Sequence, residues 1–467
     1  MRKSVENKTP VISFITSNKK KRLLTINGYI YHENKSTSKV CYWICTQKLC
    51  WAGVHLNPHD QFIKFTTVGH THMPVPEQVE IRKLLTRVKA RINDESTAIG
   101  QIYNEELVKA NLTKSALAVA ATARDANSKL NKSRRSRTPV LPTSIDFDIP
   151  SKYKITIDGE RYLLADRVQR CGGGVEKRII VFATDEQLRT LFDCSHIMMD
   201  GTFASSPSEF DQIYSIHGIK NDHSFVCAIA LLGGRSTIIY KELFSILAHH
   251  ANRLNMVFRP TKLTSDFELA LIKTVADDLP NTRHIGCNFH FNNAIYRQVQ
   301  HLGLASIYRD DESARSTIRK LMALSLIPIE QIEYGFKKIT SEAPDSVKPL
   351  IKYFNGYWMS KVKWSLWNVG DVGMKTNNMV EGWNHRFNRL VAKFHPNIWH
   401  LFDCLKKEEV LVRQQILKMI MGKNKTKCKK SAQLQQQISS LRSRFEENQI
   451  SLDELLEGLS LLIGTSK

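Results

Sequence analysis

The stretch His196-Ile-Met-Met-Asp-Gly-Thr-Phe203 decides how this chain folds. Three apolar residues, Ile197 to Met199, run into Asp200; Gly201 and Thr202 then break the run before Phe203. A short apolar run closed by an acid and a glycine predicts a buried strand with a carboxylate at its exposed end. The chain holds 45 Asp and Glu, so an acid in that position is more often a turn residue than a site residue. Its meaning depends on what surrounds it.

Candidate strands flank this one in order: KYKITI with RYLLAD, RIIVFA, then, past HIMMD, QIYSIHGI and SFVCAIALL. The helix YKELFSILAHHANRL comes next. KLTSD follows, a strand closed by a second acid, Asp266, then the helix FELALIKTVADDL, then RHIGCNFHF and another helix. Hairpins followed by alternating helices and strands predict an α/β fold, a mixed sheet with helices packed on it, over 151–300. Neighbouring strand ends in such a sheet can bring Asp200 and Asp266 together. Glu268, two residues on, is a spare acid whose ordinary role would be to favour a helix N-terminus.

A third acid, Glu381, lies in TNNMVEGWNHRFNRLV. Val380, Trp383, Phe387, Leu390 and Val391 form the apolar face of that helix, and Glu381 lies beside it among Asn377, Asn384, His385 and Asn388. A glutamate on a solvated face is the commoner reading of such a position. Three carboxylates nevertheless suit phosphoryl transfer on DNA, which commonly uses two Mg²⁺ (or Mn²⁺) ions about 3.5–4 Å apart. Hard divalent ions need oxygen ligands, and carboxylates supply both ligand and charge.

Residues 12–78 carry several short β-type runs, LLTINGYIYH, VCYWICT, AGVHL and FIKFTTV, which predict a small antiparallel sheet. Cys45, Cys50, His70 and His72 lie within it and can supply four N/S ligands to tetrahedral zinc. In a strand His70 and His72 would share a face. Cys41, His55 and His59 are nearby competitors, and the spacing between the pairs departs from the common finger pattern. Lys19 to Arg22 form a basic run that is either a solvated turn or a phosphate contact.

The formal net charge is +22 over 467 residues, a balance that favours a polyanionic partner such as nucleic acid. The apolar run Phe225 to Leu232 is far too short to span a bilayer, and MRKSVENKTP has no apolar signal core; a soluble intracellular protein without a membrane partner is expected. Nine scattered cysteines do not resemble a disulfide framework. Residues 79–150 read as helices (PEQVEIRKLLTRVKARIN, TAIGQIYNEELVKANL, KSALAVAATARDANSKL) ending in a basic knot, Lys132, Arg134, Arg135 and Arg137, with a boundary near Pro150. They are either a bracing linker or a small DNA-contacting domain.

Residues 301–375 read as a helical insertion whose aromatics Tyr353, Tyr357, Trp358, Trp364 and Trp367 pack a core or stack on bases. Residues 376–415 carry the Glu381 helix and a long helix after His400. Residues 416–467 form a helical tail with a basic hinge, Lys423 to Lys430, and an apolar stripe, Leu434, Ile438, Leu441 and Phe445. That stripe either folds back or joins a second copy in a homo-oligomer.

Two resemblances sharpen this reading. Tyr29-x-Tyr31, Trp43-Ile44-Cys45, Cys50 and His70-Thr71-His72 resemble a FLYWCH-type zinc finger over about sixty residues, which implies zinc on Cys45, Cys50, His70 and His72 and a role in DNA or protein recognition. Trp51 stands where many relatives have a basic residue. Asp200-Gly201-Thr202-Phe203, EFDQIYSIHG, Ser265-Asp266-Phe267-Glu268, Cys287-Asn288-Phe289-His290, ALSLIPIEQIEYGF, TNNMVEGWNHRFNRLV and HPNIW resemble a Mutator-like (MULE) transposase domain over about 150–415. That resemblance implies a ribonuclease H-like fold, a DDE site on Asp200, Asp266 and Glu381 holding Mg or Mn, and a nuclear DNA-transposing protein. A domesticated, non-catalytic DNA-binding regulator is the alternative. Cys287 and His290 match a family element and are expected to flank the site. Lys375 replaces an arginine common in relatives, and with the basic knot it is a candidate DNA contact.

Overall fold

The computed structural model describes residues 10–463 apart from 18–20, 96, 137, 222, 371–377 and 423–428. Arg137, Lys375, Asn377, Lys19, Lys20 and the hinge lysines Lys423, Lys425 and Lys427 therefore lie outside the described residues. The chain divides into two compact units, Met1–Val140 and Leu141–Lys467, so the break falls before the expected Pro150.

In the first unit six strands form an antiparallel meander in sequence order: β1 (Ile12–Thr16), β2 (Arg22–Ile26), β3 (Tyr29–Ser36), β4 (Cys41–Cys45), β5 (Gly53–Leu56) and β6 (Phe62–Phe65). The β2–β3 turn is Asn27-Gly28, both at positive φ (50° and 78°). That is the two-residue hairpin chemistry whose twist matches the flanking strands. Leu24, Ile26, Tyr31, Trp43, Val54 and Leu56 fill the core of the sheet. Four helices follow, α1 (Pro76–Asp94), α2 (Ile99–Ala110), α3 (Lys114–Val119) and α4 (Ala123–Arg135). The expected single helix KSALAVAATARDANSKL is two, because Thr122 caps a new one: its side chain and that of Asp125 form a reciprocal capping box.

The second unit holds a seven-stranded mixed sheet, with β7 (Leu163–Arg170), β8 (Glu176–Phe182), β9 (His196–Thr202), β10 (Gln212–Lys220), β11 (His223–Leu232), β12 (Lys262–Ser265) and β13 (Arg283–Gly286) in the order β13-β12-β9-β10-β11-β8-β7. From β9 through β10, β11 and β8 to β7 every pair is antiparallel, whereas β12 runs parallel to β9 and β13 parallel to β12. The segment KYKITI is not a strand. Its first part is the short helix α5 (Ser151–Lys154), and past that helix only an isolated bridge pairs Ile155 with Arg161. Tyr153 explains the change: it is buried and stacks on Trp399 with ring centroids 5.2 Å apart, so a tertiary contact overrides a weak β pattern.

Helices α6 (Asp185–Phe192), α7 (Thr237–Arg253) and α8 (Leu269–Asp278) connect these strands, and α9 (Asn288–His301) leaves the sheet. A helical block follows: α10 (Ala305–Asp310), α11 (Glu312–Ala323), α12 (Ile332–Ser341), α13 (Lys348–Phe354) and α14 (Trp364–Trp367). Then come α15 (Asn378–Val391), which carries Glu381, α16 (Ile398–Ile420), α17 (Lys429–Glu446) and α18 (Leu452–Ile463). The sheet and α16 share one core; the helical block has a second. Trp358 and Trp367 are fully buried in the second core, with Tyr353, Tyr357 and Trp364 packed against it. The aromatics are therefore packing residues.

The tail belongs to that second core too. Ile438, Leu455, Leu456 and Leu459 are buried in it, and Leu434, Leu441 and Phe445 pack on it. Of the two expectations for that apolar stripe, folding back is the one the structure shows.

Candidate functional site

Cys45 ends β4, and Cys50 closes the short loop after it, where Leu49 takes a left-handed φ of 63°. The Gln47 N–H donates to Cys45 Sγ at 3.4 Å, and Cys50 N–H donates to the Gln47 carbonyl at 3.2 Å. This loop turns both thiols to one side. His70 and His72 lie beyond β6 in irregular chain, so their convergence does not come from strand alternation, as expected, but from the partners of each ring. Tyr29 stacks on the His70 ring at 3.5 Å.

The Sγ and ring-nitrogen atoms of Cys45, Cys50, His70 and His72 all lie within 4.8 Å of one another, and no other such group occurs among the described residues. Cys45 Sγ is 3.2 Å from His72 Nε2, and Cys50 Sγ is 3.4 Å from His70 Nδ1. A zinc tetrahedron with arms of about 2.0–2.3 Å has edges of roughly 3.3–3.8 Å, so the spacing fits zinc. The other nitrogen of each ring is engaged. His70 Nε2 meets the Tyr31 hydroxyl at 2.8 Å, and His72 Nδ1 meets the Met73 carbonyl at 2.9 Å. Such outer partners fix which nitrogen faces the metal. Burial keeps the His70 pKa low, in its neutral, ligating form. Burial pushes Cys50 up, but N–H donors from Thr71 and Ala52 outweigh it and leave the thiol at about 7. Of the competitors, Cys41 Sγ contacts Ser36 Oγ and His55 packs on Tyr42.

The three acids lie near the other sheet, where Asp266 and Glu381 both act electrostatically on Asp200. Strands β12 and β9 pair in parallel as far as Thr264 and Met198. Asp200 stands two residues further along β9, and Asp266 two residues past Thr264, just beyond the end of β12. Asp200 is not at a free strand end, as expected: β9 runs on to Thr202, with Asp200 opposite Ser215 of β10. The pairing with β12 stops short of it, so the site opens between two parallel strands at their carboxyl ends, the usual place for ligands in α/β sheets. Gly286, ending β13, makes room there. A Cβ on it would lie 2.3 Å from the ring of Phe267, the residue after Asp266.

Glu381 is brought alongside by α15. Trp383, Phe387 and Val391 bury the helix in the sheet's core, and Trp383 stacks on Phe387 at 4.9 Å. Trp383 Nε1 donates to Glu408 Oε1 at 2.8 Å, and Arg386 donates to the same carboxylate, which α16 holds fully buried. Asn384 Nδ2 donates to Asp200 Oδ2 at 2.8 Å. Burial, then the Asp266 and Glu381 carboxylates, push Asp200 up to about 7 against the pull of Gly201 N–H and Asn384. Burial also raises Glu381 to about 7 and raises Asp266, the latter opposed by His290, the Glu268 N–H and Arg235. Asp266 Oδ1, Glu381 Oε1 and Asn384 Oδ1 are buried without a hydrogen-bond partner. A surface cavity of about 460 Å³ lined by His385, Asn388 and Arg389 opens beside them on α15.

Flanking residues differ in role. His290 faces Asp266 electrostatically, and its Nδ1 has no hydrogen-bond partner, whereas Cys287 is buried at the start of α9. Glu268 is the N-cap residue of α8 without a side-chain cap bond; it accepts from the Tyr240 hydroxyl at 2.7 Å, which in turn accepts from Gln212 at 2.9 Å. Arg134, expected to contact DNA, donates instead to the carbonyls of Ile92, Glu95 and Thr97 at 3.2, 3.1 and 2.8 Å, while Arg135 is exposed. Sequence reasoning named Asn384 only as a neighbour of Glu381 and missed Glu408 and the ligand-orienting role of Tyr31. The signal for Tyr31 was its place in Tyr-x-Tyr; Glu408 left none.

A tetrahedral Cys₂His₂ site on a small antiparallel sheet and an acid-lined edge on a mixed sheet define a zinc-binding module followed by an α/β domain. Residues 14–72 match the FLYWCH zinc finger domain family, and residues 196–294 match the MULE transposase domain family. The second match holds Asp200, Asp266, Cys287 and His290 and ends before Glu381. No curated protein matches the chain. Together the two domains support a transposase-related, DNA-binding function, with zinc in the finger. No helix among the described residues is long and apolar enough to cross a membrane.

Proposed function

We propose that the chain is a nuclear, MULE-type DDE transposase: it binds DNA through its finger and basic surfaces and cleaves or joins strands at Asp200, Asp266 and Glu381. The observation that carries this reading is that carboxylates from two other elements, Asp266 and Glu381, lie near enough to raise Asp200, with buried oxygens left unsatisfied. In a structural ion-pair network those oxygens would be paired with cations; here Asp266 Oδ1 and Glu381 Oε1 have no hydrogen-bond partner and both acids raise Asp200, which is costly unless a positive group joins them. A mixed sheet of antiparallel strands continued by two parallel ones, with the acids on adjacent strands, supports a ribonuclease H-like core.

The donor set fits a hard divalent cation: Asp200, Asp266 and Glu381 would hold Mg²⁺ or Mn²⁺. When bound, such ions stabilise the attacking and leaving oxygens of an in-line phosphoryl displacement. The chain's own residues prepare the place. Asn384 orients the Asp200 carboxylate, Glu408 holds the Glu381 helix to α16, and His290 faces Asp266 as a polar flank.

The test is cleavage by purified protein with Mg²⁺ or Mn²⁺ of DNA carrying the repeats that flank its gene, wild type beside Asp266→Asn. Cleavage abolished by the substitution supports the transposase. Tight, specific binding by both proteins without cleavage identifies a domesticated DNA-binding regulator instead.

A further inference from the structure

Neither the zinc cluster nor the carboxylates use the outer face of α4. Helix α3, the three-residue turn Ala120–Thr122 and α4 form a helix-turn-helix. One side of α4, Ala126 and Leu130, is buried against Leu84, Val88, Ile92, Ile102 and Tyr103. On the opposite side Arg124, Ser128, Asn131 and Arg135 recur at i, i+4, i+7 and i+11 in a single stripe. Asn127 and Lys132 flank it. All six are exposed except Asn131, which is half-buried. No ion pair engages Arg124, Lys132 or Arg135 among the described residues. The helix's one acid, Asp125, is spent on the capping box with Thr122.

The frame around α4 is rigid. The Tyr103 hydroxyl donates to the Ala121 carbonyl and pins the turn. The Thr113 N–H and hydroxyl donate to the Glu80 carboxylate at 2.9 and 3.0 Å, fixing α3 on α1. Arg134 ties the far end of α4 to the end of α1. A basic helix held this firmly, whose outer face carries, among the described residues, unpaired cations and a single internal bond, Asn131 Nδ2 to Asn127 Oδ1 at 2.8 Å, is built to meet something outside its own fold.

We propose that α4 is a DNA-recognition helix that enters the major groove of duplex DNA, with Arg124, Asn127, Ser128 and Asn131 toward base edges and Lys132 and Arg135 toward phosphates. The chemistry of the face matches that partner. Arg pairs with guanine O6/N7, Asn with adenine N6/N7, and the first residues of a recognition helix are the ones that reach bases. Thirteen residues span about 20 Å, and the major groove, about 12 Å wide, admits a helix. Charge favours it as well: residues 1–140 hold 24 Lys and Arg against 10 Asp and Glu. The inference rests on the DNA-binding reading above and adds to the finger a second reading element that needs no metal.

The experiment uses the full, zinc-loaded chain. A preferred site is selected from random duplex DNA, and binding to it and to an unrelated duplex is titrated at several salt concentrations. Arg124→Ala with Asn127→Ala should lose roughly 10- to 100-fold on the selected site and little on the unrelated one. Lys132→Ala with Arg135→Ala should weaken both about equally and lower the salt slope by about two. Cys50→Ser, which breaks the finger, should leave the preference set by α4 in place. If the Arg124/Asn127 variant keeps the whole preference, and only Cys50→Ser removes it, the α4 proposal is overturned while the DNA reading stands. A wild-type chain that prefers single-stranded RNA, or binds no duplex at all, overturns both.

Discussion

The Asn384 side-chain amide donates to Asp200 Oδ2 at 2.8 Å, tying the helix that carries Glu381 to the strand that carries Asp200 across 184 residues of sequence. Asn384 stands about one helical turn past Glu381, so this single bond orients one acid and locates another. Asn384→Ala should reduce metal-dependent cleavage by about tenfold or more, in line with the loss of a partner that orients a metal ligand. The amide also pulls the Asp200 pKa down. Its removal should move the acid limb of the kcat/KM–pH profile to higher pH; an unshifted limb with unchanged rate would show that the bond is incidental.

Metal-free stability should fall as pH rises through the acid cluster. Asp200 and Glu381 are raised to about 7 in the folded chain from ordinary values near 4. A carboxyl with a raised folded pKa binds its proton more tightly in the native state, so its contribution is present at low pH and lost between about pH 4 and 7. Each tenfold gain in proton affinity at the buried Asp200 is worth about 1.4 kcal/mol. Asp200→Asn should therefore raise the melting temperature of metal-free protein at pH 8 and change it much less at pH 4.5. Mg²⁺ should stabilise wild type at pH 8 and have little effect on the variant.

Zinc removal should unfold the N-terminal sheet, because Cys45 and Cys50 sit in its core beside Trp43 and Val54 and ligand binding supplies folding energy in small zinc modules. A strong chelator should abolish the near-ultraviolet signal of that unit, with one zinc released per chain. Tyr31→Phe, which removes only the hydroxyl on His70 Nε2, should weaken zinc about 10- to 100-fold, read by competition with a chromophoric chelator. Equal affinities would show that the hydroxyl does not orient the ring.

Glu408→Ala should destabilise the second unit more than an ordinary surface change. The carboxylate is fully buried and accepts from both Trp383 and Arg386. Removing it strands the Trp383 N–H at a cost of about 1–3 kcal/mol; Arg386 is 42% exposed and can turn to water. Glu408→Gln keeps an acceptor for Trp383 and should recover much of the loss in urea denaturation. Cleavage should fall in the alanine variant even at temperatures where it is folded, because α15 no longer holds Glu381 in place.

Much of this chain was legible in its sequence because the relevant physics is local. Asn27-Gly28 dictates a hairpin, the Thr122/Asp125 pair dictates a helix start, and apolar runs such as Phe225 to Leu232 dictate buried strands. Cys45, Cys50, His70 and His72 could be named together because ligand type and spacing limit the choices. Local pattern failed where a distant partner decided. KYKITI looked like a strand until Trp399 took Tyr153, and Arg134 was a candidate DNA contact until the carbonyls of Ile92, Glu95 and Thr97, in and after the last turn of α1, took it. The tail's stripe fitted a second copy or a fold back, and α18 and the second core took it.

By itself the sequence determined the elements, their polarity and the chemistry each could offer: four soft ligands, three acids, a basic excess. Only the tertiary structure decided which of these meet. The parallel register of β12 on β9 leads Asp266 and Asp200 out from the same edge, and Glu408 ties the Glu381 helix to α16. These are pairings between residues 22 to 184 positions apart. Their free energy comes from burial and hydrogen bonds that exist only once the chain has closed, and no local pattern encodes them.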